Sequence, residues 1–76
     1  MYVVRYNPAT LRFDCYKGHS IITTLTCGTK FNLYCDDEEV LVQGKIEYHN
    51  TNGYYFICDK QGYITYLHNG MLGTLD

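Results

Sequence analysis

The sequence has no tryptophan, a single proline and no long run of apolar residues. Its longest uninterrupted apolar run is Tyr54–Cys58, far short of the roughly 20 residues that a membrane-spanning helix needs. The N-terminus also lacks the basic start and apolar stretch that are typical of a signal peptide. We therefore expect a cytoplasmic protein with no membrane partner.

Helical periodicity is nearly absent as well. No stretch repeats apolar residues at the three- and four-residue intervals of an amphipathic helix. β-Branched and aromatic residues dominate instead, and turn-forming residues recur about every 8–12 positions, which is typical of short antiparallel strands. Because 76 residues leave room for one core, we expect a single all-β domain over residues 1–76.

Positive charge is scarce and unevenly placed. The formal net charge is −2, whereas a protein that binds nucleic acid through electrostatics alone is expected to be basic. Residues 1–30 are basic and residues 31–76 are acidic. This balance disfavours non-specific nucleic-acid binding and favours a basic partner for the second part of the chain.

Closely spaced metal-binding cysteines are missing. The chain has four cysteines, but no two stand as close as the Cys-x-x-Cys pairs of zinc sites. In a cytoplasmic protein we interpret them as reduced, mainly buried structural thiols, with a metal site as the alternative. These cysteines are Cys15, Cys27, Cys35 and Cys58.

A catalytic arrangement is not apparent either. Nucleophilic catalysis needs a nucleophile, a base within reach and a group that orients the base. The three histidines and the only serine do not suggest such a set. We therefore expect no enzymatic activity, no cofactor and no resident metal. The residues considered were His19, Ser20, His49 and His68.

Alternating apolar and polar residues predict most of the strands. The stretch Ser20–Leu25 is ambiguous between a strand and one helical turn. Gly44 lies inside the longest predicted strand, where a glycine favours a bend or a bulge. The predicted strands are Tyr2–Tyr6, Leu11–Cys15, Lys30–Cys35, Val40–His49 and Tyr54–Asp59.

The turn before Tyr54 predicts a hairpin. A three-residue loop over Thr51–Gly53, with Gly53 left-handed, would pair Tyr48 with Phe56.

A second hairpin is predicted near the C-terminus. Asn69 and Gly70 are the preferred residues of a two-residue type I′ turn. Such a turn would pair Tyr66 with Gly73, where the aromatic ring would cover the exposed glycine backbone.

Tyrosine is abundant, with nine copies among 76 residues. A small core cannot bury them all, and exposed tyrosines are favoured at protein interfaces. An acidic turn over residues 36–39 would add a charged contact for a basic surface. The predicted partner-binding residues are Tyr16, Tyr34, Asp36, Asp37, Glu38, Glu39, Tyr55 and Tyr63.

Four short motifs resemble a family of small, uncharacterised domains encoded on mobile elements of Gram-positive bacteria. They are Leu25-Thr26-Cys27-Gly28-x-x-Phe31-x-Leu33, Gly44-Lys45-Ile46-Glu47-Tyr48, Gly53-Tyr54-Tyr55-Phe56 and Tyr66-Leu67-His68-Asn69-Gly70-Met71. The resemblance implies a small five-stranded SH3-like barrel, here with an added N-terminal β-hairpin, and no known activity. The family usually has tryptophans where this chain has Leu41 or Val42 and Tyr54.

These observations predict a non-catalytic protein-binding module. If the mobile-element resemblance holds, one form is a counter-defence inhibitor of a basic host nuclease or effector. The alternative is an accessory nucleic-acid-binding small barrel, and the open edges of a small sheet also allow a homodimer. The alternative would use Arg5, Arg12, Lys17 and Lys30 beside Tyr6 and Tyr16.

Overall fold

The computed structural model describes residues 1–75, and within this range it contains eight β-strands and no helix. The prediction of an all-β protein is confirmed, and the ambiguous stretch over residues 20–25 is a strand. The strands are β1 (Tyr2–Asn7), β2 (Arg12–Lys17), β3 (Ser20–Leu25), β4 (Lys30–Cys35), β5 (Val40–His49), β6 (Gly53–Cys58), β7 (Ile64–Tyr66) and β8 (Leu72–Thr74).

All eight strands belong to one antiparallel sheet in the order β3-β2-β1-β8-β4-β5-β6-β7. β1 and β2 form an antiparallel hairpin, and β2 pairs in turn with β3. The sheet is open, because β3 and β7 each have a strand partner on one side only. The expected closed five-stranded barrel is therefore not what the hydrogen bonds form.

The sheet curls so that strands far apart in its order come into contact. The Arg12 guanidinium on β2 donates to the Tyr54 hydroxyl on β6 at 3.1 Å. The inner face encloses one core of buried side chains. They are Val4, Cys15, Leu25, Phe31, Leu33, Ile46, Phe56, Cys58, Leu67 and Met71.

Gly44 and Gly73 make room for core aromatic rings. A Cβ added at Gly44 would collide with the Phe56 ring, and one at Gly73 would collide with the Phe31 ring. The two rings meet edge to face, with centroids 6.3 Å apart. Of the bend or bulge predicted at Gly44, the bulge is wrong, because β5 pairs with both neighbours through Gly44 without a shift.

The loop between β5 and β6 lies one residue earlier than predicted, which shifts the pairing of the two strands by two residues. Gly53 is left-handed, as predicted, with φ of 89°. It is the first residue of β6 rather than the last of the loop, so Tyr48 pairs with Tyr54. The imidazole Nδ1 of His49 accepts the backbone amides of Thr51 and Asn52 at 3.2 and 3.3 Å, and these bonds hold the turn one step earlier.

The predicted C-terminal hairpin does not form. β7 pairs with β6, whereas β8 lies between β1 and β4. Of the two turn residues only Gly70 is left-handed, which excludes a type I′ turn. The segment binds β1 instead: the Tyr6 amide donates to Asn69 Oδ1 at 2.6 Å, and the Gly70 amide donates to the Val4 carbonyl at 2.9 Å. Gly73 consequently lies beneath a core ring, and Tyr66 does not cover it.

The second strand begins one residue later than predicted. Leu11 is in the preceding turn with φ of 60° and is exposed. Asp14 is buried on the opposite face from Cys15, where its carboxylate accepts hydrogen bonds from Asn7 at 3.2 Å and Thr24 at 2.7 Å. These hydrogen bonds replace the water that a carboxylate loses on burial.

Candidate functional site

Two surfaces lie at the two ends of β5, the longest strand, which has ten residues. The acidic end consists of the turn over residues 36–39 together with Tyr34 and Tyr63. The aromatic end consists of the rings around the β5–β6 turn, contributed by Tyr6, Phe13, Tyr48 and Tyr54. At about 3.3 Å per residue, β5 separates these two surfaces by most of the width of the domain.

A groove of about 480 Å³ lies on one side of the acidic turn. Tyr34, Asp36 and Asp37 line it from β4 and the turn, and the other wall is formed by β7, the segment that follows it and the start of β8. The sequence predicted these three residues as partner-binding, and the fold brings them together. The opposite wall comprises Thr65, His68, Gly70, Met71 and Leu72.

A second groove, of about 380 Å³, lies on the other side of the same turn. It contains Glu38 beside Tyr63, although the two residues are far apart in sequence. Leu41 and Lys60 also line it. The acidic turn therefore stands between two concave surfaces, each with a tyrosine and at least one carboxylate.

The carboxylates of the acidic turn have no hydrogen-bond or ion-pair partner among residues 1–75. Their field reaches Cys35, whose pKa is raised first by desolvation and then by Glu38 and the two aspartates of the turn. The pKa of Tyr63 is raised by desolvation and then by the neighbouring Cys58, Cys35 and Glu38. Negative charge is thus concentrated here and available to a partner.

The remaining two predicted residues lie elsewhere. Tyr16 is half-buried on β2, with the Arg5 guanidinium 5.2 Å from its ring centroid. Tyr55 is half-buried on β6 and meets Tyr66 edge to face, with centroids 5.6 Å apart. The structure does not bring either tyrosine to the acidic end.

The sequence predicted Tyr6 and Arg12 as part of the nucleic-acid alternative, but it did not predict the grouping of rings at the aromatic end. Tyr6 and Phe13 face each other across β1 and β2, with centroids 5.1 Å apart. Tyr48 and Tyr54 do the same across β5 and β6 at 4.7 Å. The pairing register of each hairpin would have identified these ring pairs from the sequence. The β5–β6 turn was predicted one residue too late, so the pairing of Tyr48 with Tyr54 was missed.

A groove of about 370 Å³ runs between these two ring pairs. Leu11 and Leu67 also line it, together with the turn over residues 50–53. Arg12 lies beside it, bonded to the Tyr54 hydroxyl. No carboxylate is among the residues that line this groove within the described part of the chain.

The cations of the nucleic-acid alternative do not share one environment. Arg5 lies over Tyr16, and Arg12 lies at the aromatic groove. Lys30 is directly opposite Lys45 in the β4–β5 pairing. Arg12 is bonded to a ring of the aromatic groove, and Arg5 lines a neighbouring groove together with the exposed Tyr6.

The described cysteines are free thiols: Cys15 and Cys58 are buried, and Cys27 is exposed. Burial raises the pKa of Cys15 to about 11, with a further contribution from Asp14, so its thiol is protonated at neutral pH. Over residues 1–75 no three of His, Cys, Asp or Glu are grouped so that they could hold a metal ion. The same range contains no helix of the length and apolarity that a membrane crossing requires.

The protein is thus a small all-β domain built on one open, curled sheet, with an acidic end and an aromatic end. The chain belongs to the family described as domain of unknown function DUF5348, whose model matches residues 3–74. This confirms the expectation of a small, uncharacterised domain family. Neither the curated proteins nor the solved structures that were compared contain a match.

Proposed function

We propose that this domain is a non-catalytic module that binds a basic surface of another protein through its acidic end. The observation that carries the proposal is the set of turn carboxylates without partners in residues 1–75. Unpaired charge of one sign on a protruding turn speeds the encounter with a surface of opposite charge.

The two tyrosines of the acidic end support this proposal. Tyr63 is 48% exposed, and Tyr34 is half-buried at the edge of the neighbouring groove. A tyrosine ring contributes apolar contact area while its hydroxyl remains compatible with water. Aromatic contacts of this kind supply much of the binding energy in protein interfaces, whereas charges at the rim mainly set the association rate.

One concrete form of the proposal is inhibition of a basic host nuclease or effector, as a counter-defence protein of a mobile element. Its support is the motif resemblance described above together with the closely spaced carboxylates, which would imitate the charge of a nucleic acid. The same proposal places the domain in the cytoplasm and predicts free thiols in the purified protein.

We also propose that the curled sheet is a variant of the SH3-like barrel. Its support is the set of contacts that join strands separated in the sheet order, such as the bond between Arg12 and Tyr54. An experimentally determined structure, superposed on SH3-like barrels, tests this proposal directly. A topology that cannot be aligned over the central strands would contradict it.

The binding proposal is tested by matched charge neutralisation. Asp36→Asn with Glu38→Gln removes one carboxylate from each groove of the acidic end. Glu47→Gln with Asp59→Asn removes the same charge outside the acidic turn and serves as the control. Partners are captured by crosslinking to the tagged wild-type chain in host lysate and identified, and the affinity of each is then measured for both variants.

We expect the acidic-end variant to lose affinity and salt dependence, whereas the control retains both. Tyr63→Ala should also weaken binding, and it should do so mainly through faster dissociation. Equal losses in the two charge variants would refute the acidic end as the binding surface. Capture of no protein under crosslinking would count against the proposed function as a whole.

A further inference from the structure

The aromatic end presents large apolar rings that the fold leaves uncovered. Tyr6 is 42% exposed and Tyr48 is 47% exposed, and each is held by a second ring in a tilted pair. The groove between the pairs has a volume of about 370 Å³, within the range of sites that accept small molecules or parts of larger ones. Rings that are exposed and held in place form a ready-made stacking surface.

The charge around this groove determines which kind of ligand it favours. Aromatic groups can enclose a cation such as a quaternary ammonium, but Arg12 would repel it and no carboxylate among the lining residues would attract it. On β1 and β2 the only acid is Asp14, which is buried and hydrogen-bonded to Asn7 and Thr24. The groove therefore favours a ligand that carries flat rings and negative charge.

We propose that the aromatic end binds single-stranded nucleic acid. Unpaired bases stack on the rings of Tyr6, Tyr48 and Tyr54, and a backbone phosphate lies against the Arg12 guanidinium. Stacking on aromatic side chains combined with phosphate contacts is the general way in which small β-folds hold single strands. A duplex cannot use this surface in the same way, because its bases are stacked on one another and enclosed.

This surface is independent of the acidic end. The length of β5 separates the two, so one molecule can hold a protein and a single strand at the same time. The inference goes beyond the proposed function, and each is tested with its own variants. Loss of one activity leaves the other measurable.

The first test measures the fluorescence anisotropy of labelled oligodeoxyuridylate and oligouridylate of about eight nucleotides at about 50 mM salt. Tyr48→Ala removes one exposed ring of the aromatic end. Tyr63→Ala removes a ring of nearly equal exposure, 48% against 47%, at the acidic end and is the matched control. Thermal unfolding of each variant shows that the fold is retained.

We expect the wild type and Tyr63→Ala to bind alike, and Tyr48→Ala to bind about 5- to 150-fold more weakly, as the loss of one stacked base predicts. Equal affinity for the two oligonucleotides would show that stacking and phosphate contacts suffice. Tighter binding of the ribose form would show an added contact to the 2′-hydroxyl. Either result supports the proposal.

The second test concerns the phosphate contact. Arg12→Gln keeps a donor for the Tyr54 hydroxyl but removes the charge, whereas Lys17→Gln removes a charge at the far end of the same strand. We expect Arg12→Gln to lower the slope of log affinity against log salt by about 0.7, the value for one phosphate of a single strand. Lys17→Gln should change the slope less.

Three results would overturn the proposal. The first is the absence of binding to either oligonucleotide at low salt. The second is binding that Tyr48→Ala leaves unchanged. The third is concentration-dependent dimerisation, seen by light scattering, that Tyr48→Ala abolishes, because the rings would then be covered by a second copy of the chain.

Discussion

The two ends of β5 are organised in opposite ways. At the acidic end, charged side chains project from a turn and form no hydrogen bonds or ion pairs within residues 1–75. At the aromatic end, side chains from different strands are joined: Arg12 bonds Tyr54, Asn52 bonds Tyr66, and His49 holds the turn. One end is available to a partner, and the other also stabilises the curl of the sheet.

This difference implies that binding and stability are separable at one end and coupled at the other. A solvated charge contributes little to folding, so the acidic end can be altered at little cost. Ring pairs and hydrogen bonds between strands contribute to the native state directly. Substitutions at the aromatic end should therefore change both properties.

The largest expected effect is a loss of overall stability, which would disrupt the acidic end and the aromatic end together. Gly73→Ala places a methyl group against the Phe31 ring and the Asn32 carbonyl, where the core cannot yield easily. We expect a loss of about 3 kcal/mol or more in the free energy of unfolding, measured by urea denaturation. Thr74→Ala on the same strand removes one hydrogen bond to Asn32 and should cost only about 1 kcal/mol.

An unfolding free energy for Gly73→Ala within about 0.5 kcal/mol of wild type would show that the Phe31 ring does not occupy this space.

The next effect is alkaline destabilisation of β2, which supplies Arg12 and Phe13 to the aromatic end. Burial, reinforced by Asp14, raises the pKa of Cys15 from 9.0 to about 11. The unfolded chain therefore loses this proton first, and the free energy of unfolding falls as the pH rises from about 9 to about 11. A shift of two units corresponds to roughly 2 to 3 kcal/mol.

Cys15→Ala is the control for that measurement. The variant is less stable at neutral pH because it leaves a small cavity, but its stability should decline less steeply over the alkaline range. The other titrating groups are common to both proteins, so the difference between the two curves isolates Cys15. Parallel curves would contradict the buried, protonated thiol.

A smaller effect on the free energy of unfolding is expected when the two exposed tyrosines, Tyr48 and Tyr63, are each replaced by alanine. Tyr48→Ala removes a ring pair and should lower the free energy of unfolding by about 1 kcal/mol. Tyr63→Ala removes no such pair and should change it by less than about 0.5 kcal/mol. Chemical denaturation of both variants provides the values, and equal losses would remove the proposed contrast between the ends.

The smallest effect is expected at the acidic turn. Neutralising Asp37 and Glu38 to the corresponding amides relieves repulsion between neighbouring charges. We expect the free energy of unfolding to stay constant or to rise by up to about 0.5 kcal/mol at low salt. The difference should vanish as salt screens the charges. A clear loss of stability would mean that these carboxylates support the fold.

Much of the fold could be predicted from alternation and turn residues. β4 follows the predicted alternation, with Phe31 and Leu33 buried on one face. The acidic turn and the full length of β5 also match the prediction. These features depend on the side-chain period of a strand and on short-range backbone preferences, both of which a sequence displays directly.

The aromatic and acidic ends differ in how far the sequence could indicate them. The carboxylates of the acidic turn are adjacent in the chain, so their grouping is evident, although the approach of Tyr63 to Glu38 is not. The aromatic end joins Tyr6 and Tyr48 from strands that are distant in both sequence and sheet order. No local sequence pattern predicts that these two residues lie close together, because their proximity depends on the curl of the whole sheet.

The sequence by itself determined the class of fold, the places of most strands and turns, and the charge of the acidic end. Only the tertiary structure decided which strands are neighbours. Asn69 and Gly70 favour a hairpin locally, yet β8 pairs with β1 and β4 instead. Two strand partners and a core position beneath Phe31 outweigh the preference of one turn, since each buried backbone group must find a hydrogen bond somewhere.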